Sequence, residues 1–129
     1  MKKLESFLVN IDQIFKDDRG YIKTLFNLKS NNVSLIFSKK NSIRSNHYHL
    51  TDWHYIYVIK GAFEYYYKSL KKYSKIKKIL VKKNQMIFTP AKEIHATKFL
   101  QDTLLVVISK NPRDQKNYEK DLVRKVIIS

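Results

Sequence analysis

The sequence predicts an all-β domain of antiparallel strands, a sandwich or barrel, with one short helical segment near the C-terminus. Segments of six to nine residues rich in β-branched and aromatic side chains recur along the chain. Polar pieces of three or four residues part them, which leaves room only for close turns. At 129 residues with 43% hydrophobic composition, the chain can bury one core and is too short for two, so a single domain over 1–129 is expected.

In chain order, "YIKTLFNL" (21–28) and "VSLIFSK" (33–39) read as strands parted by "SNN". "WHYIYVIK" (53–60) and "AFEYYYKSL" (62–70) follow, with Gly61 between them as a turn glycine. "KIKKILVKK" (75–83) comes after "KKYS", "QMIFTP" (85–90) after "KKN", and "TLLVVISK" (103–110) after "FLQD". Another strand is expected to begin near His95, past the loop at Pro90. Helical character is confined to a weak turn near "NIDQIF" (10–15) and to "PRDQKNYEKDLV" (112–123), where Pro112 suits a first turn. The lysine-rich stretch 68–83 reads as a solvated edge hairpin, because edge lysines discourage pairing with another sheet.

The chain has no cysteine, which rules out disulfides and thiolate ligands and leaves His and carboxylate to hold any metal. No apolar run approaches the ~20 residues of a membrane span. Glu5 and Asn10 interrupt the apolar part of the N-terminus, so it is not read as a signal peptide and a cytoplasmic location is expected. The net charge of +15 comes from 22 Lys against 4 Arg. Without clustered Arg or a docking motif, no nucleic-acid partner is expected. A basic surface instead favours a small anionic substrate.

Three of the four histidines fall in "NHYHLTDWHYIYVIKG" (46–61). On a strand, residues two apart share a face, so His47 and His49 converge only if that segment is extended. His54 shares a face with the apolar Ile56 and Val58 and should point inward. If its strand pairs with the one carrying His47 and His49, all three imidazoles meet, and His95 can join them. Such a set suits Fe, Ni, Zn, Mn or Cu, and spacing does not choose among them. Asp52 and Glu93 lie close by as candidate partners that orient the imidazoles, although solvent exposure is the plainer expectation for each.

This spacing resembles the two motifs of the cupin superfamily. The first has His-x-His, three or four residues, Glu, six residues and Gly; the chain has His47, His49, His54 and Gly61, with His54 in the Glu position. In the second, Asn84 and Lys92 stand at the two Gly positions, Pro90 and His95 match, and Phe99 replaces an Asn. The resemblance implies a cupin double-stranded β-helix (jelly-roll) barrel with a short C-terminal helical tail. It also implies a divalent transition metal on His47, His49, His54 and His95.

"FKDDRGYI" (15–22) and "IRSNHYH" (43–49) are similar to the "D-x-RG" and "RG-x-H-x-H" signatures of cupins that act on nucleotide sugars, with Ser45 in place of a Gly. Those families include dTDP-4-dehydrorhamnose 3,5-epimerases and 3,4-ketoisomerases of surface-polysaccharide pathways. The resemblance implies an isomerase or epimerase of a nucleotide-linked keto sugar, working by proton transfer next to a ketone. Arg19 and Arg44 would hold phosphates. A salt bridge from Arg19 to Asp17 or Asp18 is an equal reading. His47 would be the base, His49 its partner, and a tyrosine the acid, with Tyr57 among candidates that include Tyr48, Tyr55 and Tyr65–Tyr67. If His47 and His49 are metal ligands, the base passes to Glu64, Tyr57 or a bound water. A metal-dependent Fe or Ni oxygenase and a non-catalytic sugar-binding cupin are the alternatives. A homodimer is expected, with Trp53 and "FEYYY" supplying apolar surface and the C-terminal segment covering the barrel or joining the partner.

Overall fold

Apolar and polar residues alternate along most of the chain, and a period of two makes strands with one buried face. A computed structural model describes residues 4–129. Its strands are β1 (Phe7–Leu8), β2 (Ile14–Asp17), β3 (Gly20–Lys23), β4 (Asn32–Ser38), β5 (Ile43–His49), β6 (His54–Lys60), β7 (Ala62–Ser69), β8 (Lys77–Lys82), β9 (Met86–Thr89), β10 (Glu93–Phe99), β11 (Thr103–Ser109) and β12 (Leu122–Arg124). One helix, α1 (Gln115–Lys120), precedes β12.

The strands form two five-stranded sheets, β1-β9-β6-β11-β4 and β12-β5-β10-β7-β8, with β2 and β3 as a separate hairpin. Inward residues of the first sheet, among them Ile56, Val58, Leu105 and Val107, pack on Phe63, Tyr65, Val81 and Phe99 of the second. Each such side chain contributes about 1.5–3 kcal/mol by leaving water. The architecture is mostly β with a short C-terminal helix, as expected. Among the described residues neither sheet closes on itself, so the expected barrel takes the form of two facing sheets with open edges.

Several expected elements are shorter or differently used. The strand expected over 21–28 stops at Lys23. Leu25 and Phe26 instead pack on the outer side of the first sheet, over Tyr57, Met86 and Ile108. "NIDQIF" forms no helical turn; its end starts the β2–β3 hairpin. Helix α1 begins after Asp114, whose carboxylate accepts the Asn117 N–H at 3.1 Å, so Pro112 lies before the cap and not in the first turn. After α1 the chain returns to strand as β12 and pairs with β5. The tail is therefore a helix and a strand laid against the second sheet.

The lysine-rich hairpin ends in β8, an edge strand with Lys77, Lys78 and Lys82 exposed. Gly61 turns β6 into β7 at φ +97°, and a Cβ there would lie 2.6 Å from the Asp102 carbonyl oxygen. "FEYYY" does not supply surface: Phe63, Tyr65 and Tyr67 are buried between the sheets. Trp53 packs edge-on against Tyr55 and tilted against Phe26. Among the described residues, no helix is long and apolar enough to cross a membrane.

Candidate active site and metal centre

The histidines converge by a route that spacing did not reveal. β5 and β6 do not pair: β5 lies between β12 and β10, and β6 lies in the other sheet. Residues 50–53 cross from one sheet to the other, so His54 faces His47 and His49 across the interior. His95 of β10 sits opposite His47 in the ladder. Ring centroids are 4.8 Å apart for His47–His49 and His47–His95, and 4.7 Å for His49–His54.

The backbone keeps the bends of the motifs without their glycines. Ser45 (φ 70°), Asn84 (φ 68°) and Lys92 (φ 60°), the three positions where the motifs carry Gly, are all left-handed. Asn tolerates that region, whereas Ser and Lys pay about 1 kcal/mol each in strain. The bend at Lys92 brings its N–H to the His49 carbonyl at 2.8 Å. Asn46, also left-handed, accepts the Ile127 and Ile128 N–H groups on its Oδ1 and ties the C-terminal residues to β5.

All four imidazoles are buried. Burial first, and the neighbouring imidazoles second, lower the His47 pKa to about 3 and that of His49 to about 4. The same causes hold His95 well below its ordinary value. These rings are neutral at pH 7 and keep a lone pair for a metal or a proton. His49 is the least satisfied: its Nδ1 is 3.5 Å from the Asp121 carboxylate, too long for a good hydrogen bond, and neither ring nitrogen has a hydrogen-bond partner.

Asp52 is only 3% exposed, which overturns the expectation of a solvated carboxylate. Its Oδ2 is 3.0 Å from His54 Nε2, and its Oδ1 accepts the Asn111 N–H at 2.9 Å. Burial pushes its pKa up, but these hydrogen bonds and the adjacent imidazoles prevail and hold it below the usual value. Glu93 is buried too, bonded to Ser6 through both the backbone N–H and the hydroxyl. Its carbonyl oxygen lies 3.4 Å from His95 Nδ1.

The expected four-histidine set resolves into two overlapping groups. Donor atoms of His47, His49 and His95 lie within 4.8 Å of one another, as do those of His49, Asp52 and His54. Both are buried; the first offers three imidazoles and the second two imidazoles and a carboxylate, donors that divalent transition metals take. The unpartnered nitrogens of His49, common to both groups, fit a metal.

His47, His54 and His95 open onto a cavity of about 150 Å³ that is also lined by Arg44, Arg113 and Tyr118. Arg44 is held in place by Ser38 Oγ at 2.7 Å and the Phe37 carbonyl at 3.0 Å. Arg19 is not part of this cavity: it lies in the β2–β3 turn and donates to Asp17 at 2.6 Å, its salt-bridge reading. Tyr57 is not there either. It faces the opposite side of β6 from His54, Ile56 and Val58, and donates to Asn84 Oδ1 at 3.1 Å. Glu64 pairs with Lys78. Tyr65 stacks beside His95, but its hydroxyl is enclosed with Ser6.

Arg113 and Tyr118 were missed by sequence reasoning. The Arg113 guanidinium sits 4.4 Å above the Tyr118 ring, and that ring is 5.6 Å from His49. Tyr118 and Asp121 are three apart, one face of a helix, but only the docking of the tail shows that this face meets the histidines. Asp121 fixes that docking, accepting the Thr51 and Asp52 N–H groups.

No family model and no curated protein matches the sequence. Solved structures do. A 3,4-ketoisomerase from Helicobacter canadensis is similar with a TM-score of 0.77 at 18% identity, over 95% of this chain and 92% of that one. A TDP-fucose-3,4-ketoisomerase from Campylobacter jejuni gives 0.76 at 15% identity, over 93% and 89%. A dTDP-4-dehydrorhamnose 3,5-epimerase from Sulfolobus tokodaii gives 0.68 at 18%, over 88% and 80%. This chain shares the fold of these enzymes. At such identities the likeness concerns the fold, and the chemistry has to be argued from the cavity.

Proposed function

We propose that the protein is an isomerase or epimerase of a nucleotide-linked keto sugar. The observation that carries this reading is the single cavity in which buried imidazoles face two guanidinium groups and a tyrosine. Arg44 and Arg113 suit the diphosphate of a nucleotide sugar, since a guanidinium fork matches phosphate oxygens. The fold shared with ketoisomerases and an epimerase supports the same substrate class.

His47 is the base. It takes the proton from the carbon next to the ketone, and the C–H electron pair moves toward the keto oxygen to form an enolate. Tyr118 donates a proton to that oxygen and gives an enediol. Return of a proton to the other carbon as the second hydroxyl ionises moves the ketone by one position; return to the original carbon on its other face inverts it. Nothing is oxidised overall. The His47 pKa of about 3 makes it a weak base in the free protein. The negative charge of a bound diphosphate raises it toward the range useful for catalysis. A divalent ion held by the histidine and aspartate donors would polarise the keto oxygen.

The test is deuterium incorporation from solvent into dTDP-4-keto-6-deoxyglucose, followed by mass spectrometry and NMR. Exchange lost in His47→Asn and a raised KM in Arg113→Ala are the expected results. No exchange into any nucleotide-linked keto sugar would sink the proposal. A second reading, an Fe-dependent oxygenase, draws on the two-histidine, one-carboxylate donors His49, His54 and Asp52. Oxygen uptake by Fe-loaded protein without solvent exchange would favour it.

A further inference from the structure

In the cupin motif a Glu stands where this chain has His54, and three neutral imidazoles with a fourth would leave a divalent ion uncompensated in a buried cavity. Arg44 and Arg113 line the same cavity and add to that positive charge. An unopposed buried charge is costly, so a cation should seat where a carboxylate meets it. We propose that the divalent ion is held by His49, His54 and Asp52, so that Asp52, two residues before His54, returns the carboxylate that the motif has lost. The inference rests on the reading that the site takes a metal, and is independent of the reaction that follows.

Two observations support it separately. His54 Nε2 and Asp52 Oδ2 are 3.0 Å apart. Two adjacent ligands with bonds of about 2.1 Å at roughly 90° are separated by about 3.0 Å, so an ion can replace the shared proton with little movement. His49 is 1% exposed, and neither ring nitrogen has a hydrogen-bond partner. Its ring lies 4.7 Å from that of His54 and 5.8 Å from that of His95. A nitrogen desolvated without a partner is what a metal ligand looks like before the metal is counted.

The placement also has a charge argument. The Asp121 carboxylate, 3.5 Å from His49 Nδ1, would oppose the remaining charge of an ion held by His49. It frees His47 as well, since the base and the metal ligand no longer have to be the same side chain.

Co²⁺ titrated into chelator-stripped protein, followed by visible absorption and calorimetry, tests the assignment. One equivalent should bind; Asp52→Asn should weaken binding by about tenfold or more, and His95→Gln by less than about threefold. Far-UV dichroism checks that each variant folds. Pulsed EPR of Cu²⁺ in the unsubstituted protein, which needs no variant, should count two coordinated imidazoles. Three or four imidazoles, a loss at His95→Gln equal to or larger than that at Asp52→Asn, or no Co²⁺ binding at millimolar concentration would overturn the proposal. None of these readouts uses a sugar, so failure here is distinct from failure of the isomerase reading.

Discussion

Chelator-stripped protein should lose stability as the pH falls from about 7.5 to 5.5, because His47, His49 and His95 are buried neutral. The ordinary imidazole pKa is 6.5, whereas in the fold His47 is at about 3, His49 at about 4, and His95 well below 6.5. The unfolded chain therefore binds more protons across this window, and linkage makes stability fall as pH drops below 6.5. Each of the three costs about 1.3 kcal/mol at pH 5.5, about 4 kcal/mol together, a large share of the roughly 5–15 kcal/mol of a typical domain. Urea unfolding followed by Trp53 fluorescence reads this directly. With m of about 2 kcal/mol/M, the midpoint should move down by about 2 M. The window stays above the ordinary carboxylate range, so Asp52 and the other carboxylates with lowered pKa do not contribute. His47→Asn should remove about a third of the slope. A midpoint that is flat or rises toward pH 5.5 would show that these imidazoles are not buried neutral.

Lys92→Gly should stabilise the protein by about 0.5–1 kcal/mol in urea unfolding, since it relieves a lysine at φ 60°. Gly61→Ala should cost about 2–4 kcal/mol by the same assay, because the new methyl meets the Asp102 carbonyl and Thr103 Cα, both backbone atoms. The edge strand β4 exposes Val33, Leu35 and Phe37, and the β2–β3 hairpin exposes Phe15 and Ile22. A second copy covering these faces should give a dimer in light scattering, and Leu35→Glu should shift it to monomer. A monomer at micromolar concentration before substitution would refute this.

Much of the fold was legible because local pattern and burial agree. β4, β6, β7, β8, β9 and β11 fall within two residues of the expected strands. Most have a face that must leave water, and a two-residue period says which; β9 is buried on both faces and is legible instead as a short apolar run. The failures have the opposite cause. Leu25 and Phe26 read as strand residues, yet they are half-buried by docking on the outside of a sheet and have no ladder of their own. Tyr57 looked like a site residue from its neighbours along the chain, and the same alternation that aims His54 inward aims Tyr57 outward. Arg19 matched a signature, but Asp17, two residues before it, takes its guanidinium.

Strand periodicity and the turn at Gly61 constrain which way each ring points, so the sequence already allows His47, His49, His54 and His95 to share one interior. That the bends survive with Ser45, Asn84 and Lys92 in place of glycine is visible only in the folded backbone. The grouping of the rings is likewise a tertiary outcome. The chain crosses between sheets at residues 50–53, which buries Asp52 against His54, and the tail docks through Asp121 to add Tyr118 and Arg113. These contacts join residues up to about seventy positions apart, and no local spacing encodes them. They arise because a buried carboxylate must find donors and an exposed helix face must find an apolar wall.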